Sequence, residues 1–173
     1  MKRFSILLLT LAFFSASAIA QKVQKSPKST LSQTVGTTDI TVVYHRPGLK
    51  GRTLESLITE GKVWRTGANE ATEITFSKDV KIGGKELPAG TYSLYTIPGK
   101  TQWSIIINSK LSWGTQYDQD KDVLRFTVST SLSEHATETF TINISDISDA
   151  GTNANLELLW GNVIVKAPIV VTL

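Results

Sequence analysis

The sequence predicts an all-β fold, an antiparallel two-sheet sandwich that is jelly-roll-like and carries one short α-helix. Apolar and polar side chains alternate over many short stretches, which is the pattern of half-buried strands. Turn-forming pairs such as Gly83-Gly84 and Pro98-Gly99 separate these stretches at short intervals. We count about ten stretches, a number that two packed sheets accommodate.

In the first half of the chain, each strand is predicted from alternation on one face and from the turn that ends it. Ile40, Val42 and Tyr44 share one face, and the glycines Gly83-Gly84 supply the positive φ angles that a tight hairpin needs. Strands are expected in order at residues 40–45, 72–76, 80–82, 85–87, 91–97 and 103–107.

One short α-helix is predicted between the first and second of these strands. Thr53 is a suitable N-cap, and Leu54, Leu57 and Ile58 recur at helical spacing. Gly61 stands where a left-handed residue commonly ends a helix. We therefore expect a single short helix that packs as a lid on the strands.

The second half of the chain predicts strands at residues 124–128, 140–144 and 156–160, followed by a β-branched closing stretch. Pro168 interrupts that stretch, and because proline cannot donate to a ladder, the last strand should lie at an edge or bend there. The irregular segment from residue 108 to 121 carries Trp113 and Tyr117 and is the predicted binding loop.

The first twenty residues have the three parts of an export signal. Lys2 and Arg3 precede an apolar run over residues 6–14, and small residues end at Ala20. We expect cleavage near Ala20, which gives a periplasmic or secreted protein. Residues 21–30 are expected to form a flexible lead that carries no chemistry, and residues 31–173 a single β-sandwich domain. The apolar run is too short for a transmembrane anchor, and the absence of cysteine excludes a lipid anchor at the cleavage site.

Composition argues against several classes of partner and cofactor. The formal charge of +3 includes Lys2 and Arg3, so the remainder carries about +1, with basic and acidic residues intermixed. A nucleic-acid-binding protein would show a concentrated basic face, and we expect none. The two histidines, His45 and His135, lie in different predicted elements and match no metal-binding spacing. We therefore expect no metal and no cofactor.

The densest set of chemically capable side chains lies between Tyr44 and Thr72. Polar groups at this density form an internal hydrogen-bonded network or line a ligand site. As a site, Arg46 and Arg65 would bind an anionic group while Trp64 or Trp103 stacks on a ring. The candidate ligand-binding residues are His45, Arg46, Trp64, Arg65, Asn69, Glu70 and Trp103.

Four strings in this chain, YHRPGLKGR, GKVWRTGANEATEITFS, LPAGTYSLYTIPG and the following WSIIIN, carry a family resemblance. In this order they resemble the exported bacterial family catalogued as domain of unknown function 2911. The resemblance covers about residues 26–173. It implies an exported, β-rich protein and brings no reaction or catalytic residue with it.

Three functions remain open at this stage. The first is a non-catalytic binding module for a small polar, anionic or sugar ligand, whose candidate side chains would converge on an open concavity. The second is a structural or partner-binding envelope protein, in which the same side chains form a closed network. The third is a hydrolase that uses Glu70 or His45 as acid or base, which requires a second titratable group within hydrogen-bonding reach.

Overall fold

The computed structural model describes residues 23–173, and nearly all of the regular structure there is β-strand. The predicted signal peptide lies outside the described residues. No helix within residues 23–173 is long and apolar enough to cross a membrane. The nine strands are β1 (Lys28–Val35), β2 (Thr38–His45), β3 (Thr72–Phe76), β4 (Val80–Ile82), β5 (Lys85–Leu87), β6 (Gly90–Ile97), β7 (Gln102–Asn108), β8 (Asp122–Ser145) and β9 (Asn153–Val171).

The strands join in one open antiparallel sheet with the order β1-β2-β3-β6-β7-β8-β9-β4-β5. The sequence predicted two separate sheets, and the length of β8 explains the difference. Its first part pairs with β7, as in Trp103↔Val128, and its second part pairs with β9, as in Ile144↔Leu156. One 24-residue strand thus connects ladders that two sheets would have held apart.

Two pairs of predicted strands are fused, one pair in β8 and one in β9, and β1 is an additional strand, so about ten predicted strands become nine. Residues 122–145 contain no glycine or proline, so nothing breaks β8 between its two apolar stretches. The extra residues are absorbed by register shifts against β9 between Leu132 and Thr141. Gly161, with φ +57°, lies opposite Thr137 in this irregular stretch, where a left-handed glycine fits a bulge.

Pro168 lies where β9 changes its partner. The pairing of β9 with β8 ends at Val165, and its pairing with β4 begins at Ile169. The Pro168 carbonyl accepts a hydrogen bond from the Gly83 N–H at 2.9 Å. The residue that cannot donate therefore stands between two ladders, as its chemistry requires.

The predicted hairpin turn between β4 and β5 is confirmed. Gly83 and Gly84 have φ values of +58° and +76°, the two positive angles of a type I′ turn. A Cβ at Gly83 would also collide with the ring of Phe126. Glycine is required there by both the backbone and the packing.

The predicted α-helix is a single 3-10 turn over Leu54–Ser56. The Thr53 side chain makes no capping hydrogen bond. The Thr53 carbonyl accepts a hydrogen bond from the Ser56 hydroxyl at 2.7 Å. Gly61 does have a positive φ, +72°, but its N–H donates to the Pro98 carbonyl at 2.8 Å. An α-helix is only marginally stable in so short a segment. The segment is held instead by contacts to the sheet.

The core joins strands that are separated in the sheet order. The buried Tyr44 hydroxyl of β2 accepts a hydrogen bond from the Ile142 N–H of β8 at 3.0 Å, although the sheet order places three strands between β2 and β8. After β2, the chain continues along β8: the Phe140 N–H donates to the Pro47 carbonyl and the Leu49 N–H to the Glu138 carbonyl, each at 2.9 Å. The sheet curls so that the loop after β2 lies against the middle of β8.

β1 begins at Lys28, inside the stretch that the sequence assigned to a flexible lead. Lys28 pairs with His45 of β2, and the Pro27 carbonyl accepts from the Arg46 N–H at 2.9 Å. The lead therefore contributes to the sheet, and it brings Lys25 and Ser26 near the loop after β2.

Candidate functional site

A large open groove, called here the basic groove, lies between the loop after β2, the segment from residue 57 to 68 and the loop at residues 114–117. Its volume is about 1030 Å³, at the upper end of what drug-sized ligands occupy. Five cations line it, and none of its lining residues is an aspartate or glutamate. The cations are Lys25, Lys50, Arg52, Lys62 and Arg65.

The cations of the basic groove have no acidic partner in the part of the chain that the structure describes. Within residues 23–173, every ion pair with nitrogen and oxygen at most 4.0 Å apart involves other residues. The carboxylate that borders the groove, that of Glu138, accepts from the backbone N–H of Lys50 at 2.7 Å. The groove therefore presents concentrated positive charge in a concave surface, which attracts anions.

The loop after β2 holds two of these cations, Lys50 and Arg52, through hydrogen bonds of their side chains. Lys50 has a left-handed backbone, with φ +51°, and its Nζ donates to the Lys25 carbonyl at 3.3 Å. The Arg52 guanidinium donates to the carbonyls of Leu49 at 2.9 Å and Gly48 at 3.1 Å. These bonds use two of the five N–H groups of Arg52 and leave the others available.

Arg65 is positioned by tight packing rather than by hydrogen bonds of its guanidinium. Its chain neighbour Trp64 exchanges backbone hydrogen bonds with Thr96 at 2.7 and 2.9 Å. A Cβ at Gly114 would collide with the Arg65 Cδ, so only glycine allows this approach. The Arg65 Nε is buried and has no hydrogen-bond partner among the described residues, which is costly.

The floor of the basic groove is aromatic. Trp64 stacks on Trp160 with ring centroids 5.4 Å apart and an interplanar angle of 18°, and it meets Phe140 edge-on at 4.9 Å. The indole N–H groups are satisfied internally: Trp64 donates to Gly67 and Trp160 to Glu138. The rings therefore pack on one another and form a rigid base beneath the cations.

Tyr117 contributes to the wall of the groove and is fixed by a charged network. Its hydroxyl donates to the Asp122 carboxylate at 2.8 Å and accepts from Arg125 at 2.7 Å. Burial, together with the hydrogen bond to Asp122, raises the pKa of Tyr117 to about 12. The phenol is protonated at neutral pH, so it adds no negative charge to the groove.

Of the seven candidate residues from the sequence, Trp64 and Arg65 line the basic groove. Arg46 serves the fold: its guanidinium donates to the Phe140 carbonyl at 3.0 Å and to the Thr141 hydroxyl at 2.7 Å. Asn69 takes a left-handed turn, with φ +59°, and is absent from the groove lining. The internal-network interpretation thus holds for Arg46.

Trp103 lies behind the basic groove and is absent from its lining. It is 4% exposed and lines a separate cavity of about 560 Å³ on the other side of the 3-10 turn. That cavity is walled mainly by apolar side chains, with Glu55, Glu60 and Lys100 also in its lining. Trp103 contacts Trp64 edge-on at 6.0 Å, so it supports the groove floor from behind.

His45 and Glu70 form a pair outside the basic groove. The His45 Nδ1 lies 3.2 Å from the Glu70 carboxylate, with side chains 9% and 53% exposed respectively. They border a small cavity of about 270 Å³ whose other lining residues are Gln24, Lys28, Val43, Ala71 and Glu73. A titratable partner for Glu70 is therefore within reach, but no lining residue carries a hydroxyl or thiol nucleophile.

Of the five groove cations, only Arg65 is among the candidate residues predicted from the sequence. Lys50 and Arg52 lie in the string YHRPGLKGR and Lys62 in the string GKVWRTGANEATEITFS, whereas Lys25 lies in the predicted flexible lead. The density of polar residues after Tyr44 was a usable signal for the loop. No local pattern in the sequence predicts that residues 25, 50 and 62 line one groove.

Within residues 23–173, no group of three or more potential metal ligands is present.

Comparison with known proteins gives one match. A family model described as a protein of unknown function (DUF2911) matches residues 26–169. No curated protein and no solved structure matches the chain.

Proposed function

The chain belongs to the family of proteins of unknown function DUF2911. We propose that it is an exported, non-catalytic binding protein whose basic groove holds an anionic ligand. The observation that carries this proposal is the set of five lining cations without a lining carboxylate. Like charges gathered in a concavity repel one another, and a bound anion offsets that repulsion.

The residues of the groove suit anion binding in a second way. Arg65 is held against Gly114 with a buried Nε that no protein atom satisfies. Arg65 also lines the groove as a partly exposed side chain, and a planar guanidinium binds carboxylate, sulfate or phosphate groups through paired hydrogen bonds. Because the arginine is already positioned, little side-chain entropy is lost when the ligand binds.

The proposal places the protein outside the cytoplasm, after removal of the signal peptide near Ala20. Its support is the three-part pattern of residues 1–20. The two-layered, jelly-roll-like sandwich also remains a proposal. It is supported by the hydrogen bonds that join Tyr44 of β2 to Ile142 of β8.

Calorimetric titration of the chain from Gln21 onward with sulfate, phosphate and glucuronate tests the proposal. We expect at least one of these anions to bind, with an affinity that falls as salt rises. The double variant Lys62→Gln, Arg65→Gln should weaken binding by about tenfold or more, since each charge-assisted hydrogen bond contributes about 1.5–3 kcal/mol.

The matched control is the double variant Lys81→Gln, Lys166→Gln, which also removes two positive charges, from lysines that pair with Glu86 and Asp146 outside the groove. It should bind the anion as the parent protein does. The proposal fails if no anion binds at millimolar concentration, or if both variants lose affinity equally, because the effect would then come from net charge and not from the groove.

A further inference from the structure

The basic groove holds more positive charge than a single anionic group can use. A carboxylate or sulfate is typically bound through two or three donors, whereas five cations line this groove. Its volume of about 1030 Å³ also exceeds what a compact oxyanion fills. A large ligand that carries several negative charges would use this volume and this charge more fully than a compact anion.

The cations come in two groups along the groove. Lys25, Lys50 and Arg52 belong to the lead and to the loop after β2, and the contact of Lys50 with the Lys25 carbonyl links them. Lys62 and Arg65 flank Trp64 in the next segment, and Arg65 is fixed there by Gly114. Two cationic groups in one groove fit a ligand with negative charges repeated along its length.

The remaining lining residues restrict the chemistry of that ligand. Apolar side chains share the walls, among them Pro47, Leu57 and Val63, and hydroxyls are present at Ser26, Thr59 and Thr115. Apolar walls suit the C–H faces of sugar rings, and hydroxyls suit their O–H groups. A bare polyphosphate chain has no apolar face to place against such walls.

The aromatic floor argues against single-stranded nucleic acid. Proteins that bind it offer open aromatic faces on which bases stack. Here Trp64 and Trp160 stack on each other, and Trp160 is 3% exposed. Each covers a face of the other, so the pair does not form an open stacking platform.

We propose that the basic groove binds a linear acidic oligosaccharide, with negative charges that contact both cationic groups. This inference rests on the proposed function of the groove and adds the class and length of the ligand. Carboxylate-bearing and sulfated sugars share the required chemistry, and the experiment compares them.

The test is calorimetric titration of the same protein with galacturonate oligomers of one, two, four and six units, at several salt concentrations. Affinity should rise by about tenfold or more from one unit to four and then level off. The slope of log affinity against log salt should steepen from about −1 to about −3, because each neutralised charge contributes roughly −0.7 to −0.9. Sulfated oligosaccharides of equal length separate sulfate from carboxylate recognition.

The double variant Lys25→Gln, Lys50→Gln should remove the gain in affinity with length, while the control Lys81→Gln, Lys166→Gln, which loses the same charge, should retain it. Circular dichroism and thermal melting check that each variant is folded. If single units and hexamers bind equally, the oligosaccharide inference is wrong and the anion site stands. If no anion binds, both proposals fail. Stronger binding of polyphosphate or single-stranded DNA at matched charge number assigns the groove to that polymer instead and overturns the inference.

Discussion

Lysines in two regions of this molecule have opposite surroundings. On β9, Lys166 lies 2.6 Å from the Asp146 carboxylate and 3.3 Å from that of Glu157. In the basic groove, Lys25, Lys50 and Lys62 have no carboxylate within 4.0 Å among residues 23–173. The first arrangement neutralises a cation within the fold. The second leaves cations together in a concavity, which is useful only if another charge arrives.

The arginines repeat this comparison at closer range. Arg46 and Arg65 belong to the same polar stretch of sequence. The Arg46 guanidinium donates hydrogen bonds to β8, whereas the Arg65 Nε is buried without an acceptor. A residue type therefore does not reveal its role, and the role follows from which donors the fold has already satisfied.

The largest effect is expected from removing the base of the groove. Trp160→Ala should lower the free energy of unfolding by about 3–5 kcal/mol, because a buried ring that stacks on Trp64 is replaced by a cavity. Trp113→Ala is the matched control, since Trp113 is 49% exposed on a loop, and it should change stability by at most about 0.5 kcal/mol. Urea denaturation measures both, and equal losses would show that the floor is not part of the core.

The next effect separates the two arginines. Arg46→Met should lower the free energy of unfolding by about 2 kcal/mol, because it breaks two hydrogen bonds of a charged group to β8. Arg65→Met should stay within about 0.5 kcal/mol, since it removes a buried donor that no protein atom satisfies. Urea denaturation of both variants decides, and a larger loss at Arg65 would contradict the assignment of roles.

A smaller effect concerns pH at the wall of the groove. The pKa of Tyr117 is raised to about 12 in the folded protein, so the folded state keeps this proton at a pH where the unfolded chain loses it. The resulting stability is complete below about pH 10 and declines as pH rises toward 12. We expect Tyr117 to account for about 1–2 kcal/mol of that decline, after allowance for its partial exposure.

Tyr117→Phe is the control for this pH dependence. Its stability, followed by denaturation at several pH values, should fall less steeply between pH 10 and 12. Absorbance at 295 nm should show one fewer late-titrating phenol. Tyr92 and Tyr95 also have raised pKa values because of burial, so the difference between parent and variant isolates Tyr117. Identical slopes would rule out the Asp122 network as the cause.

The smallest effect is expected at the paired lysine. Lys166→Met removes an exposed ion pair with Asp146, which contributes little, and a longer pair with Glu157, whose side chain is 12% exposed. The shift in melting temperature should be smaller than for Trp160→Ala or Arg46→Met and should vanish in about 0.5 M NaCl. The hydrogen bond from Lys166 lowers the pKa of Asp146, so this contribution is present above the ordinary carboxyl pKa and is lost as pH falls through the folded value. Thermal melting at low pH checks the sign.

The strands were predictable wherever alternation ended in a turn. Gly83-Gly84 marked the β4-β5 hairpin correctly, because a type I′ turn demands residues that tolerate positive φ. The great length of β8 was not predictable, since alternation continues in residues that lie in register shifts and make no regular pairs. The 3-10 turn at Leu54 was missed because its helical spacing serves packing against the sheet.

The candidate site was predictable in part. Trp64 and Arg65 were found because polar and aromatic residues cluster near them. Lys25 is placed by the contact of Pro27 with Arg46, and Lys62 by those of its neighbours Gly61 and Trp64 with Pro98 and Thr96. Lys50 is placed by the pairing of the loop after β2 with Glu138 and Phe140 of β8. That pairing joins segments about ninety residues apart, and no local pattern in the sequence reports it.

The hydrogen bonds between Tyr44 and Ile142 have a further consequence for the order of events during folding. They join residues 98 positions apart, and the hydroxyl of Thr37 likewise donates to the Thr172 carbonyl near the other end of the chain. Contacts between such distant positions carry a large loop-closure entropy and slow folding. The core cannot close until β8 and β9 have been synthesised, so the native state forms only after most of the chain has left the ribosome.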